Sequence, residues 1–326
     1  MQVEFTRVGW PFVSTFRISY RTQTVSETVH VKLVDGKHQG RGEGLPVTYH
    51  GETVDSMLAQ LETVRVDLVN GVSRDELRHL LPAGGARNAI DCALWDLEAK
   101  RAGRRAWEFS GMSQVHPLIT AYTIGIDTPE IMGQSAASAR RYSLLKIKLA
   151  GDDQDLERVN AVRSAHATAD IIVDANQSWD EARLRELTPR LADLGVKLIE
   201  QPLPIGKDQA LSEFERSIPV CADESCQTLD SIPSLVGKYD YANIKLDKTG
   251  GLTEGLLFAQ AAQKAGLKLM IGCMGGSSLS MAPAFIVGQL CAIADLDSPL
   301  LKSTDIAHGI RYEGSRMFAP QTELWG

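Results

Sequence analysis

The chain has 326 residues, 44% of them hydrophobic and 23% charged, with a formal net charge of −7. That length holds one large barrel and a smaller domain, more than a single compact core usually takes. The acidic balance argues against a nucleic-acid or anionic-membrane partner, and no apolar run reaches the roughly 18–20 residues that a bilayer span needs.

Residues 1–6 lack a basic stretch followed by an apolar run, so no secretory leader is expected. The five cysteines (Cys92, Cys221, Cys226, Cys273, Cys291) are odd in number and lack paired metal spacing, and they read as reduced thiols of a cytoplasmic protein. Alternation over residues 28–34 (TVHVKLV) predicts a strand, preceded by a polar loop at 14–27 and followed by a turn at Gly40, Gly42, Glu43 and Gly44. Helical apolar spacing follows at 54–70 and at 86–102 (ARNAIDCALWDLEAKRA). Residues 1–115 thus form an α+β unit.

From Leu118 the texture changes. Short apolar runs recur about once per β/α unit: LITAYTIG (118–125), LLKIKL (144–149), IIVDAN (171–176), KLIEQP (197–202), PVCADE (219–224), YANIKL (241–246), KLMIGC (268–273) and AIADLD (292–297). Helical patterns lie between them, as at 153–166, 181–194 and 253–265. Eight alternating units predict an α/β fold, a parallel barrel with outer helices, over residues 116–299. The interval 273–292 is mostly apolar, so its helix is expected to be packed. The tail 300–326 is too short for a domain and is expected to return to the N-terminal unit.

Most charged residues of these runs sit at the carboxyl end of a strand, where barrel enzymes place their sites. The second strand carries Lys146 and Lys148, the third ends in Asp174, the fourth in Glu200 and the fifth in Asp223. The sixth carries Lys245, and the eighth ends in Asp295 and Asp297. Asp174, Glu200 and Asp223 are 26 and then 23 residues apart, so adjacent strand ends bring three carboxylates together. Like charges so placed repel unless a cation joins them, and oxygen-only ligands favour Mg²⁺, with Mn²⁺ as the alternative. A lone strand-end acid usually caps a helix or pairs with a surface arginine, but three in successive units flanked by lysines argue for a site. The seven histidines show no ligand spacing, which argues against zinc.

The second and sixth strands of an eight-stranded barrel are four apart, so Lys148 and Lys245 face each other across the metal, and Lys146 shares a face with Lys148. A lysine beside a cation and a second lysine is expected to have a lowered pKa and to serve as a base. A substrate carboxylate on the metal, one lysine taking the α-proton and the other returning it, gives epimerisation or racemisation through an enediolate that the metal stabilises. A single base would serve elimination or cycloisomerisation equally well.

LKIKLAG, VDANQSW, IEQPLP, CADES and NIKLDKTGG, with ARNAIDCALWDLEAKRAG, resemble the muconate-lactonizing-enzyme subgroup of the enolase superfamily over nearly the whole chain. The resemblance implies an α+β capping domain over a modified (β/α)₇β barrel of the TIM type. It implies metal ligands Asp174, Glu200 and Asp223, the acid/base pair Lys148 and Lys245 (Lys148 serving the L-configured centre, Lys245 the D-configured one), and Lys146 assisting its neighbour. ADLDSPLL (294–301) is similar to the D-x-D signature of dipeptide epimerases of the L-Ala-D/L-Glu type. It implies that Asp295 and Asp297 bind the free ammonium of a dipeptide. Arg17, in PFVSTFR, aligns with an arginine for the side-chain carboxylate of the epimerised glutamate, and Thr123, in AYTIG, with a residue of the same pocket. The same segment also offers Tyr20 and Arg21, and the stretch GCMGGSSLSM (272–281), where specificity residues lie, is small and Gly/Ser-rich. The closest rival chemistry is that of N-acylamino-acid racemases and o-succinylbenzoate synthases, whose N-acyl substrates have no ammonium for the D-x-D pair. A non-catalytic binding protein on the same barrel is disfavoured because every expected catalytic position is filled. The expected partner is a small dipeptide; the oligomeric state, a homo-oligomer included, is left open.

Overall fold

The computed structural model describes residues 1–326. The N-terminal unit begins with an antiparallel meander of β1 (Gln2–Ile18), β2 (Arg21–Asp35) and β3 (His38–Gly44). The loop expected at 14–27 is instead the far end of the β1–β2 hairpin, with a register shift between Pro11 and Phe16. Both faces of that end are largely solvated, so the alternation that marks a half-buried strand is absent from it. The turn expected at Gly40–Gly44 is likewise strand, β3. Its glycines serve close approach: a Cβ on Gly40 would lie 2.1 Å from the Ala93 carbonyl oxygen, and one on Gly42 2.0 Å from that of Ala89.

Those carbonyls belong to α4 (Gly85–Ala102), which follows α1 (Val54–Thr63), α2 (Arg65–Asn70) and α3 (Arg74–Leu80). The single helix expected at 54–70 is broken at Val64, which leaves helical geometry (φ −106°, ψ 9°). Thr53 and Ser73 close capping boxes on α1 and α3, satisfying N–H groups that the first turn leaves free. Most of α4 is buried because it is packed on two sides. Ala89, Ala93 and Leu97 meet the sheet, while Cys92, Trp95 and Ala99 join the barrel core.

After α5 (Ala106–Phe109) and β4 (Leu118–Ile119), the barrel strands run parallel, each beside its predecessor: β5 (Tyr122–Ile124), β6 (Leu144–Lys148), β7 (Asp170–Asp174), β8 (Val196–Glu200), β9 (Val220–Ala222), β10 (Tyr241–Ile244), β11 (Lys268–Ile271) and β12 (Ile293–Ala294). The cylinder is closed where the Ala121 N–H donates to the Ala294 carbonyl at 2.8 Å and the Leu296 N–H to Thr120 Oγ1 at 2.7 Å. Helices α6 (Pro129–Ser138), α7 (Asp155–Ala165), α8 (Glu181–Asp193), α9 (Ile232–Leu235), α10 (Leu246–Thr249), α11 (Leu252–Lys264) and α12 (Ser278–Gly288) wrap it, and every residue of α12 is buried, as its apolar sequence leads one to expect. No helix is long and apolar enough to cross a membrane.

The tail forms the short strands β13 (Tyr312–Glu313) and β14 (Arg316–Met317), the latter paired with β4, and ends on α4. There Trp325 Nε1 donates to the Cys92 carbonyl at 3.0 Å and the Gly326 N–H to Asp96 at 2.7 Å. Inside the barrel Ile172, Leu198 and Cys221 form an apolar floor. Strand alternation then directs Asp174, Glu200 and Asp223, each two residues further on, to the same side one layer higher.

Candidate active site at the carboxyl end of the barrel

The side-chain oxygens of Asp174, Glu200 and Asp223 all lie within 4.8 Å of one another, and all three residues are buried. Asp174 Oδ1 accepts from the Asn176 N–H at 2.9 Å, and Glu200 Oε1 from Asn243 Nδ2 at 2.8 Å. Gln201 Oε1 accepts from the N–H groups of Asp223 and Ser225, fixing the loop after β9.

Lysines surround the triad. Lys146 Nζ lies 2.7 Å from Glu200 Oε2, 2.7 Å from Asp295 Oδ2 and 3.1 Å from Asp174 Oδ2. Lys148 donates to Asp174 Oδ2 at 2.5 Å and to Asn176 Oδ1 at 3.3 Å, while Lys245 donates to Asp223 Oδ2 at 2.6 Å. A fourth lysine, Lys248, takes Asp223 Oδ1 at 2.7 Å and also the carbonyls of Asp223 and Asn243.

Charge follows from this packing. Burial raises Glu200 to about 7, helped by the Asp174 charge. Burial opposes ionisation of Asp174 and Asp223 too, but Lys148 and Lys146 on the one, and Lys245 and Lys248 on the other, outweigh it and hold both below the usual carboxylate range. The lowered lysine pKa expected from sequence is not what this arrangement produces. Burial depresses Lys146 and Lys245, but their carboxylate neighbours overcome it and hold both well above the ordinary lysine value. The expected lowering requires a cation to take those carboxylates, and the donor set fits one. Three buried oxygen donors within 4.8 Å, with no histidine or thiol among them, suit a hard divalent ion such as Mg²⁺.

One cavity above the triad is lined by Lys146, Lys148, Lys245, Asp223, Asn176, Thr123, Asp295 and Asp297 on the barrel side, and by Phe12, Phe16, Ile18, Tyr20 and Arg21 of the β1–β2 hairpin. Asp297 accepts from the Thr123 N–H at 2.5 Å; burial, and then the Asp295 charge, push it up to about 7. Asp295 spends Oδ2 on Lys146, and its Oδ1 is buried with no partner. Arg17 is not brought to the cavity. It is half-exposed and pairs with Asp127 at 3.2 Å, whereas Arg21 lines the cavity wall. Alternation explains the difference: Phe16 and Ile18 face the cavity, so Arg17 between them faces away, and Arg21 lies directly opposite Ile18 across the hairpin. Sequence reasoning passed over Asn176, Lys248 and Gln201. Their signal was local, at two and three residues beyond Asp174 and Lys245 and directly after Glu200.

Fold and site together define a class, the barrel enzymes that gather acids and lysines at the strand ends beneath a separate capping unit. The family model described as Enolase C-terminal domain-like matches residues 132–322, and that of the mandelate racemase / muconate lactonizing enzyme N-terminal domain matches residues 1–111. The chain belongs to the mandelate racemase / muconate lactonizing enzyme family. It is 41% identical over 308 residues to L-Ala-D/L-Glu epimerase of Escherichia coli (strain K12), covering 93% of this chain and 95% of that one. It is also 41% identical over 299 residues to an N-acetyl-D-glutamate racemase of Pseudoalteromonas sp, covering 91% and 94%. Among solved structures, an enolase family member from Agrobacterium tumefaciens with homology to dipeptide epimerases, holding sodium and L-Ala-L-Glu, superposes with a TM-score of 0.97 at 42% identity over 99% of both chains. A dipeptide epimerase from Methylococcus capsulatus, complexed with Mg and L-Arg-D-Lys, superposes with a TM-score of 0.91 at 30% identity over 98% and 97%.

Proposed function

We propose that this protein is a Mg²⁺-dependent dipeptide epimerase acting on L-Ala-D/L-Glu or a close analogue by proton transfer between two lysines. The observation that carries the reading is that Lys148 and Lys245 enter one cavity from β6 and the end of β10, strands four apart in a closed ring of eight and hence opposite. The α-carbon of a substrate between them presents its hydrogen to one lysine and its other face to the second. Asp174, Glu200 and Asp223 would hold Mg²⁺, which would supply positive charge for a substrate carboxylate whose α-proton is removed. Lys148 takes the proton from the L-configured centre and Lys245 delivers one to the opposite face; the reverse reaction exchanges their roles. Lys146, fully buried against three carboxylates, keeps a positive charge beside Lys148.

The acid pair addresses the other end of the substrate. Asp297 commits one oxygen to the Thr123 N–H and Asp295 one to the Lys146 ammonium, which leaves the buried Asp295 Oδ1 and the second oxygen of Asp297 for a further cation in the cavity. The free ammonium of a dipeptide is that cation. Arg21, in the cavity wall, is the candidate partner of the glutamate side-chain carboxylate in place of Arg17. The Pseudoalteromonas relative favours a second reading, racemisation of N-acylated glutamate on the same metal and lysines. An N-acyl amide carries no charge for the acid pair, which is why the dipeptide reading comes first. The two are separated by incubating the enzyme with L-Ala-L-Glu or N-acetyl-L-glutamate in deuterated buffer and following mass at the α-carbon. Deuterium uptake and epimer formation are expected with the dipeptide; turnover of the N-acetyl compound alone overturns the reading.

A further inference from the structure

The strand β3 carries a carboxylate that the proton-transfer chemistry does not use. Glu43 is almost fully buried and lies between Gly42 and Gly44, whose Cα atoms press on α4, so alternation turns its side chain to the opposite face of the sheet, toward the barrel. Its carboxylate bridges the seam between the two units, Oε2 meeting the barrel and Oε1 the capping unit, where His30 Nε2 also lies 3.4 Å away. Oε2 accepts from the Ser277 N–H at 3.0 Å, from Ser277 Oγ at 2.5 Å and from the Ser280 N–H at 3.2 Å; Oε1 accepts from Trp10 Nε1 at 2.7 Å. The N–H groups of Ser277 and Ser280 belong to the N-terminus of α12, so a residue more than 230 positions away satisfies the Ser277 N–H, which the helix cannot, and shares that of Ser280 with the Ser277 carbonyl.

Both ends of this clamp lead to the cavity. On the barrel side, the segment just before Ser277 contributes Cys273, Met274 and Gly275 to the cavity lining, and the Gly276 carbonyl accepts from Ser298, the neighbour of Asp297, at 2.6 Å. On the hairpin side, Trp10 precedes Phe12 by two residues, and the Phe12 ring lines the cavity, stacked on Phe16 with centroids 5.2 Å apart. Glu43 thus ties the base of the hairpin to the segment after β11.

We propose that Glu43 is a positioning residue: it locks residues 272–277 against the base of the β1–β2 hairpin and so sets the wall that faces the amino-terminal residue of the substrate. That placement of the substrate rests on the dipeptide reading above; the clamp itself does not. A residue that shapes a binding wall acts on substrate binding more than on the chemical step.

The test compares wild type, Glu43→Gln and the milder Trp10→Phe as full-length proteins with Mg²⁺, measuring L-Ala-L-Glu kinetics, Mg²⁺ affinity and backbone hydrogen exchange. Glu43→Gln turns amide hydrogens toward donors that need an acceptor. It is expected to raise KM by about tenfold or more, with kcat within about threefold and Mg²⁺ affinity within about twofold. Exchange of the 272–277 amides is expected to quicken while that of β6–β8 stays as in wild type. Trp10→Phe removes one bond of the four and should move KM and exchange the same way by less. A folded Glu43→Gln protein with wild-type KM and wild-type exchange at 272–277 overturns the proposal, as does a fall in kcat at constant KM. A wild-type protein inert toward dipeptides overturns the substrate reading alone, and the exchange measurement then still decides the role of Glu43.

Discussion

Lys245 donates to Asp223 Oδ2 at 2.6 Å, so a base of the proposed reaction is bonded to a proposed metal ligand. The other oxygen of Asp223 is held by Lys248, which also takes two main-chain carbonyls and has no freedom to leave. A divalent ion held by Asp174, Glu200 and Asp223 would compete with Lys245 for Asp223 Oδ2, and would leave the Lys245 ammonium less tightly paired and more ready to give up its proton.

Metal dependence follows. Chelation should abolish turnover and added Mg²⁺ should restore it. Asp223→Asn removes one of three charges, and calorimetric titration should show Mg²⁺ affinity falling by on the order of 10²-fold. Full activity of the chelated enzyme overturns the metal assignment.

The two lysines should separate kinetically. Lys148→Ala and Lys245→Ala should each lose epimerisation by on the order of 10³-fold or more, since neither face can substitute for the other. Each variant should still exchange the α-proton of at most one epimer, read by NMR in deuterated buffer. Epimerisation by both variants at wild-type rates would falsify the two-base mechanism.

The acid pair predicts a need for the free amino terminus. N-acetylation of the dipeptide should lower kcat/KM by on the order of 10²-fold or more, because a buried charge left unpaired costs about 3–5 kcal/mol. Asp297→Asn should do similar damage to an unmodified dipeptide while Mg²⁺ affinity stays the same. Equal turnover of both substrates would give the N-acyl reading first place.

For the glutamate side chain, Arg21→Met should raise KM for L-Ala-L-Glu by about tenfold or more, and Arg17→Met should leave it within about threefold. The reverse ranking would restore Arg17 to the site and require the hairpin to shift in solution.

Lys302 gives a stability prediction. Its ammonium is buried without a hydrogen-bond partner and sits 3.1 Å from the centre of the Phe12 ring. Burial pushes its pKa down to about 7, opposed only in part by the Glu43 and Asp297 carboxylates. Between pH 7 and the usual lysine value, the unfolded chain holds a proton that the folded chain lacks, so this residue destabilises the fold most at and below pH 7 and progressively less as pH rises. Lys302→Met should therefore raise Tm at pH 6–7 by a few degrees and flatten the rise of stability between about pH 7 and 10. An unchanged pH profile would show that the ammonium is accommodated in its charged form.

The barrel, and the rim on which its acids and lysines gather, could be read one strand at a time. Eight apolar runs spaced by helices leave little choice of fold, and the acids and lysines toward the carboxyl ends of six of those runs are carried to the same rim by strand periodicity alone. Asp174, Glu200, Asp223, Lys146 and Lys148 could be read because their placement depends on one strand at a time. What needed two elements at once was hidden. The choice between Arg17 and Arg21 is made by hairpin register, which is blurred in a solvated segment with a bulge. Gly40, Gly42 and Gly44 look like a turn until α4 is laid against them, because only that helix shows why a Cβ is excluded. Glu43 acts on partners contributed by another unit, and no local pattern encodes a contact made only when the capping unit meets the barrel.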